Sequence, residues 1–120
     1  VNFNLTTAEV FVPDGLPEDE ALARTTYLCI AAHQDDIEIM AAGPILGCFQ
    51  REDKWFTGLV VTDGRGSPRN GMYEKYTDEE MRLVRFKEQR KAAFLGEFAA
   101  QVMLDYPSKV YPGRCGGLRA

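Results

Sequence analysis

Tyr27-Leu-Cys-Ile-Ala-Ala-His-Gln-Asp-Asp-Ile-Glu-Ile-Met40 is the stretch on which the reading of this chain turns. An apolar run stops at a histidine and two adjacent aspartates, and a helical pattern starts there. Tyr27 to Ala32 is nearly all apolar and too short to cross a domain as a helix, so it predicts a strand buried on both faces. His33, Asp35 and Asp36 then fall at the carboxyl end of that strand and the start of the next helix, where open α/β sheets bind ligands. One neutral imidazole and two carboxylates so close together suit a divalent metal, with one acid left to move protons. A plainer account exists for each residue. Asp35 serves as a helix N-cap with Glu38 completing a box-like cap, the acids favour the positive end of the helix dipole, and His33 bonds a loop carbonyl. Their concurrence at one strand-to-helix turn favours a site.

Upstream of this stretch, Ala8 to Val12 is a short apolar run closed by the turn-forming Pro13-Asp14-Gly15, which predicts a short strand or extended arm. Leu16 to Thr25 predicts a short helix, with Pro17 in its first turn and Glu18, Asp19 and Glu20 at its positive end. This lead-in is expected to cover a sheet edge or contact a partner subunit. Downstream, Ile37 to Gln50 predicts a helix whose buried face is Ile39, Ala42, Ile45, Leu46 and Phe49, interrupted by Gly43-Pro44. Trp55 to Thr62 reads as a second strand with Phe56, Leu59, Val60 and Val61 as core. From Asp63 to Thr77 runs a glycine-rich loop. Its opening Asp63-Gly-Arg-Gly-Ser67 either lines a substrate pocket through backbone N–H groups or is solvated. It has no Gly-Lys-Thr/Ser and is not a P-loop.

Thr77 to Leu95 gives the plainest helix, opened by the capping box Thr77-Asp-Glu-Glu80 and stopped at Gly96. Met81, Val84, Ala92 and Leu95 form its apolar stripe. Glu88 falls on the same stripe with Arg85 one turn earlier. That is either an ion pair at the stripe's margin or an arginine that binds substrate oxygens with Glu88 orienting it. Lys87, Arg90 and Lys91 read as a solvated face. Gln101 to Tyr106 is a third strand, with Asp105 near its end as a further pocket candidate. Residues 108–120 have many chain breakers and no periodicity.

Strands alternating with helices predict an α/β fold: a Rossmann-like parallel sheet with flanking helices and right-handed crossovers. The expected organisation is a lead-in over 1–26, the Rossmann-type unit over 27–107, and an irregular, disordered or aberrant tail over 108–120. The unit reads as the N-terminal part of a larger three-layer domain, and its bare edge strand predicts a homo-oligomer or poor solubility. No Gly-x-Gly-x-x-Gly follows the first strand, which argues against a dinucleotide cofactor. A net charge of −4 without a basic block argues against nucleic acid. No stretch is long and apolar enough to cross a membrane, and no leader opens the chain, although it starts on Val1. The three cysteines Cys29, Cys48 and Cys115 are widely spaced, which fits reduced thiols in the cytoplasm.

Ala32-His33-Gln34-Asp35-Asp36-Ile37-Glu38-Ile39 resembles the Ala-His-Pro-Asp-Asp-x-Glu signature of the LmbE-like or PIG-L superfamily of zinc-dependent de-N-acetylases. Val60-Val61-Thr62-Asp63-Gly64 is similar to that family's second strand and Thr-x-Gly turn. Arg85-x-x-Glu88, running into Ala92-Ala93-Phe94-Leu95-Gly96, is similar to its Arg-x-x-Glu helix. Gln34 stands where the family has proline, which predicts a looser turn. The resemblance implies Zn2+ or another divalent metal on His33 and Asp36, Asp35 as general base, and Arg85, Asp63 and Gly64 on the substrate side. The substrate it implies is a small molecule, an N-acetylated amino sugar or similar, cleaved to acetate and a free amine. The family's third ligand is a histidine further along, and His33 is the only histidine in this chain. Water, Glu38, Asp63, Asp105 or a partner subunit is then left to complete the shell. Two other classes stay open: a truncated, non-catalytic remnant or interaction module, and a metal-dependent phosphate or ester hydrolase.

Overall fold

The computed structural model describes residues 2–34, 36–64 and 74–107. The elements run β1 (Glu9–Phe11), α1 (Glu18–Ala23), β2 (Tyr27–Ala31), α2 (Asp36–Met40), α3 (Ala42–Cys48), β3 (Phe56–Thr62), α4 (Asp78–Leu95) and β4 (Ala100–Tyr106). The four strands form one sheet in the order β1-β4-β3-β2. β2, β3 and β4 are parallel, and each strand lies beside the one before it. The chain is therefore an α/β fold with Rossmann-like parallel progression. The sheet as a whole is mixed, because β1 pairs antiparallel to β4, Glu9 opposite Met103. A bidentate ion pair from Arg90 to Glu9 (Nη2···Oε1 2.6 Å) ties that strand to α4. Arg90 is thus not part of a solvated face. The turn closing β1 is bonded from Gly15 N–H to the Val12 carbonyl, 3.1 Å.

One face of the sheet carries the main core. Ala31, Phe56, Val60 and Met103 meet Ile37 of α2, Ala41, Cys48 of α3, Phe86 and Ala93 of α4, and Phe98. The Phe56 and Phe98 rings pack edge to face, centroids 4.7 Å apart. The other face is covered beside β4 by α1. Ala21 is fully buried there, and Thr25 shares a 2.6 Å hydrogen bond with Thr57, whose side chain alternates away from Phe56. Beside β2 no described element covers that face. Leu28 and Ile30, in register with Thr57 and Leu59, are 56% and 59% exposed. This corrects the expectation of a strand buried on both faces. β2 is the edge of the sheet, and α2 and α3 cover only the side bearing Cys29 and Ala31.

The predicted helix over 37–50 is two helices. The break falls at Ala41, at φ −119° and ψ 25°. It places Pro44 in the first turn of α3, where its missing N–H costs nothing. The buried face also differs. Ile37, Ala41 and Cys48 are buried with Ile45 packed against them, while Ile39, Leu46 and Phe49 are exposed. Both sets have helical spacing, and the sheet selects the first. On α4 the capping box forms as predicted, with Glu80 N–H donating to Thr77 Oγ1 and Thr77 N–H to Glu80 Oε1. Its buried stripe is Met81, Phe86, Gln89 and Ala93, and Leu95 is exposed.

Candidate functional site

The parallel strands deliver their carboxyl ends to one edge of the sheet, where the turn after β2 stands beside the end of β3. Two-way bonding holds these ends together. Thr62 donates from its N–H (3.0 Å) and its Oγ1 (2.6 Å) to the Ala32 carbonyl. Gln34 Nε2 donates back to the Thr62 carbonyl at 3.0 Å. The expectation of a turn loosened by the loss of proline is corrected here: the glutamine is buried and pins the turn to β3.

His33 and Asp36 project from this turn into solvent, their side chains 61% and 43% exposed, with Nδ1 and Oδ2 3.6 Å apart. That separation is too long for a hydrogen bond. It is near the roughly 3.3 Å that two ligands of one tetrahedral zinc keep. The donor set, one imidazole and one carboxylate facing the same solvent, therefore fits a zinc-type ion as two of its ligands. Among the described residues no three His, Cys, Asp or Glu side chains gather into a metal-holding group. Asp35 lies outside the described residues.

Two of the acids considered as shell-completing ligands, Glu38 and Asp105, have partners elsewhere. Glu38 turns inward from α2 and accepts from Gln89 Nε2 at 3.0 Å, while its Oε2 is buried with no hydrogen-bond partner among the described residues. The same Gln89 nitrogen donates to Gln101 Oε1 at 3.2 Å, and Gln101 Nε2 donates to the Val102 carbonyl. This polar chain lies flat on β3 because Gly58 leaves room for it. A Cβ at Gly58 would stand 2.6 Å from Gln101 Oε1 and 2.9 Å from Ile37 Cδ1. Asp105 is buried in a bidentate pair with Arg82, both contacts 2.7 Å. A register shift between Val60 and Thr62 along β3–β4, with Asp105 at φ +68°, aims its carboxylate at α4. That hydrogen bond holds the Arg82 guanidinium even more firmly protonated than usual. Asp63 is fully buried, and its N–H donates to the Tyr106 carbonyl at 2.8 Å.

Gly64 and Arg85 do meet. Gly64 has φ +78°, and a Cβ there would stand 2.6 Å from Arg85 Cγ and 2.8 Å from Gln34 Oε1. Arg85 Nη1 donates to Glu88 Oε1 at 2.8 Å, the i,i+3 pair read from the sequence. So the structure gathers Gln34, the sequence neighbour of His33, with Gly64 and Arg85. Sequence reasoning passed over Gln34 as a ligand of β3 and Gln89 as a buried hub. A glutamine on the inward face of α4, between Phe86 and Ala93, was the available signal. A concavity of about 540 Å³ between Trp55, Phe94, Leu95, Phe98 and the Pro13 turn lies at the opposite, amino ends of the strands.

The model of the PIG-L family, described as GlcNAc-PI de-N-acetylase, matches residues 28–113. That span takes in most of the chain, including the turn, the β3 end and α4, and the chain belongs to this family. Searches of curated proteins and of solved structures found no significant match. Among the described residues no helix is long and apolar enough to cross a membrane.

Proposed function

We propose that the chain carries the metal-binding turn of a hydrolytic de-N-acetylase, acting on the N-acetyl group of an amino sugar or similar small molecule. The observation that supports it is the pair of side chains, His33 and Asp36, facing one point at a parallel strand's end in a PIG-L family chain. His33 and Asp36 would hold Zn2+ or a similar ion, which when bound supplies a Lewis acid for the amide carbonyl and acidifies water. Asp35, by its place in the motif, takes the proton of the attacking water as general base. Arg85, steadied by Glu88 and seated against Gly64, offers a planar fork of N–H donors to substrate oxygens. Asp63 and Gly64, at the end of β3, are by their place in the motif the other substrate-side residues. His33 is the sole histidine of this chain, so the further ligand is water, a carboxylate or a group from a partner subunit. Widely spaced cysteines fit a cytoplasmic setting.

The single histidine also favours a second reading, an interaction module that keeps the fold without the reaction. Zinc calorimetry on the chain, with His33→Ala beside it, tests the first. The expected result is one-to-one binding that the substitution abolishes, followed by acetate release from N-acetylated amino sugars. Binding indifferent to His33 would sink the metal site. His33-dependent binding without acetate release would favour the interaction module, and phosphate or alcohol release from a substrate panel would favour a phosphate or ester hydrolase.

A further inference from the structure

Gln34 is 6% exposed, although it stands between the solvent-facing His33 and Asp36. Nothing in the donor pair itself fixes the turn, because their 3.6 Å contact is not a hydrogen bond. Beside the Thr62–Ala32 bonds, a restraint comes from one of the two residues between them. Gln34 Nε2 donates to the Thr62 carbonyl at 3.0 Å, in the buried interior. Its Oε1 lies against Gly64, 2.8 Å from where a Cβ would be, and the Arg85 stem closes on that same position of Gly64 at 2.6 Å. One side chain therefore touches the end of β3, the turn after it and the seat of Arg85.

We propose that Gln34 is a positioning residue that sets the His33–Asp36 donor pair in a defined place relative to Arg85; this rests on the metal-dependent reading above. Proline at this position would restrain the turn through its ring, by limiting its own φ and the residue before it. Gln34 restrains it by a different route, a carboxamide cross-link to the neighbouring strand. The two halves of the amide divide the work. The N–H holds the turn to β3, and the oxygen packs on Gly64, against which the Arg85 stem also lies. Metal donors and substrate-side arginine are thus coupled through one side chain, and the glycine at 64 is what lets both reach it.

The test is zinc affinity, with Gln34→Met as the sharp variant: it keeps the bulk and burial and removes the donor. Calorimetry is run well below the unfolding midpoint of each protein, with circular dichroism to confirm the fold. The expected result is binding on the order of tenfold weaker than the unsubstituted chain, the scale on which outer-shell supports act. A change in stability alone does not produce that loss in protein that is fully folded. Wild-type affinity in folded Gln34→Met overturns the positioning role and leaves the metal reading intact. Binding by the unsubstituted chain that His33→Ala does not affect overturns the metal reading and this proposal with it. If Gln34→Met does not fold, Gln34→Asn, whose amide is one methylene too short to reach Thr62, takes its place under the same criteria. Failure of both to fold makes Gln34 a packing residue and overturns the proposal.

Discussion

Gly64 lies between the Arg85 stem and the Gln34 carboxamide at φ +78°, a region that side-chain-bearing residues seldom enter. Gly64→Ala adds both backbone strain and a clash. It is expected to lower stability by roughly 1–3 kcal/mol, read as a drop in the urea midpoint without a change in slope. Gln89 is the other residue on which several groups depend, since it donates to both Glu38 and Gln101 in the core. Gln89→Leu leaves two acceptors without that donor and is expected to cost on the order of 1–3 kcal/mol, measured by the same unfolding experiment. At this scale the approach of His33 to Asp36 was legible from the sequence, because they sit within one turn and meet through local geometry. Gln34 and Gln89 were not, because an amide side chain reveals its role only through the partners it finds across the sheet.

α4 was legible as an element because its start is written locally. Thr77 and Glu80 satisfy each other's backbone N–H groups within one turn. Thr77→Ala is expected to cost about 1 kcal/mol, visible as a lower thermal midpoint. Glu80 has its carboxyl held below the usual range chiefly by the hydrogen bond from Thr77 N–H. A carboxyl depressed in the folded state stabilises it above the unfolded value near 4.5, and that contribution is lost as pH falls through the folded value. Acid unfolding followed at 222 nm should therefore show a smaller loss of stability below about pH 4.5 in Glu80→Gln than in the unsubstituted chain. The segment over 36–48 was less legible. Almost every turn of it offers apolar residues on two sides, so periodicity admits either face. The sheet takes Ile37, Ala41, Ile45 and Cys48 and leaves Ile39 and Leu46 in solvent. Breaking at Ala41 allows this and frees Pro44 from a helix interior.

The whole molecule is asymmetric about its sheet. β1 and the Arg90–Glu9 pair close the side beyond β4, while β2, paired to β3, is the strand at the other edge, with Leu28 and Ile30 exposed. Burying such side chains fully would be worth about 1.5–3 kcal/mol each, so an exposed pair favours association. Ile30→Lys is expected to change unfolding stability by no more than about 0.5 kcal/mol, as at an ordinary surface position. It should also raise the monomer fraction in sedimentation velocity. A loss of several kcal/mol would contradict the exposed placement of this face.

The sequence by itself determined what depends on near neighbours: the alternation of strands and helices, the cap of α4, the turn after β1, and the motif that places His33 and Asp36 at a strand end. These follow from backbone preferences and contacts within a turn or two, which are written in consecutive residues. Tertiary structure alone decided that β2 is an edge, which face of α2 and α3 is buried, that Asp105 serves Arg82, and that Gln34 joins the turn to Gly64. Each of these is a choice of partner across the sheet, made by packing and by the need of buried polar groups for hydrogen bonds, and no local pattern records it.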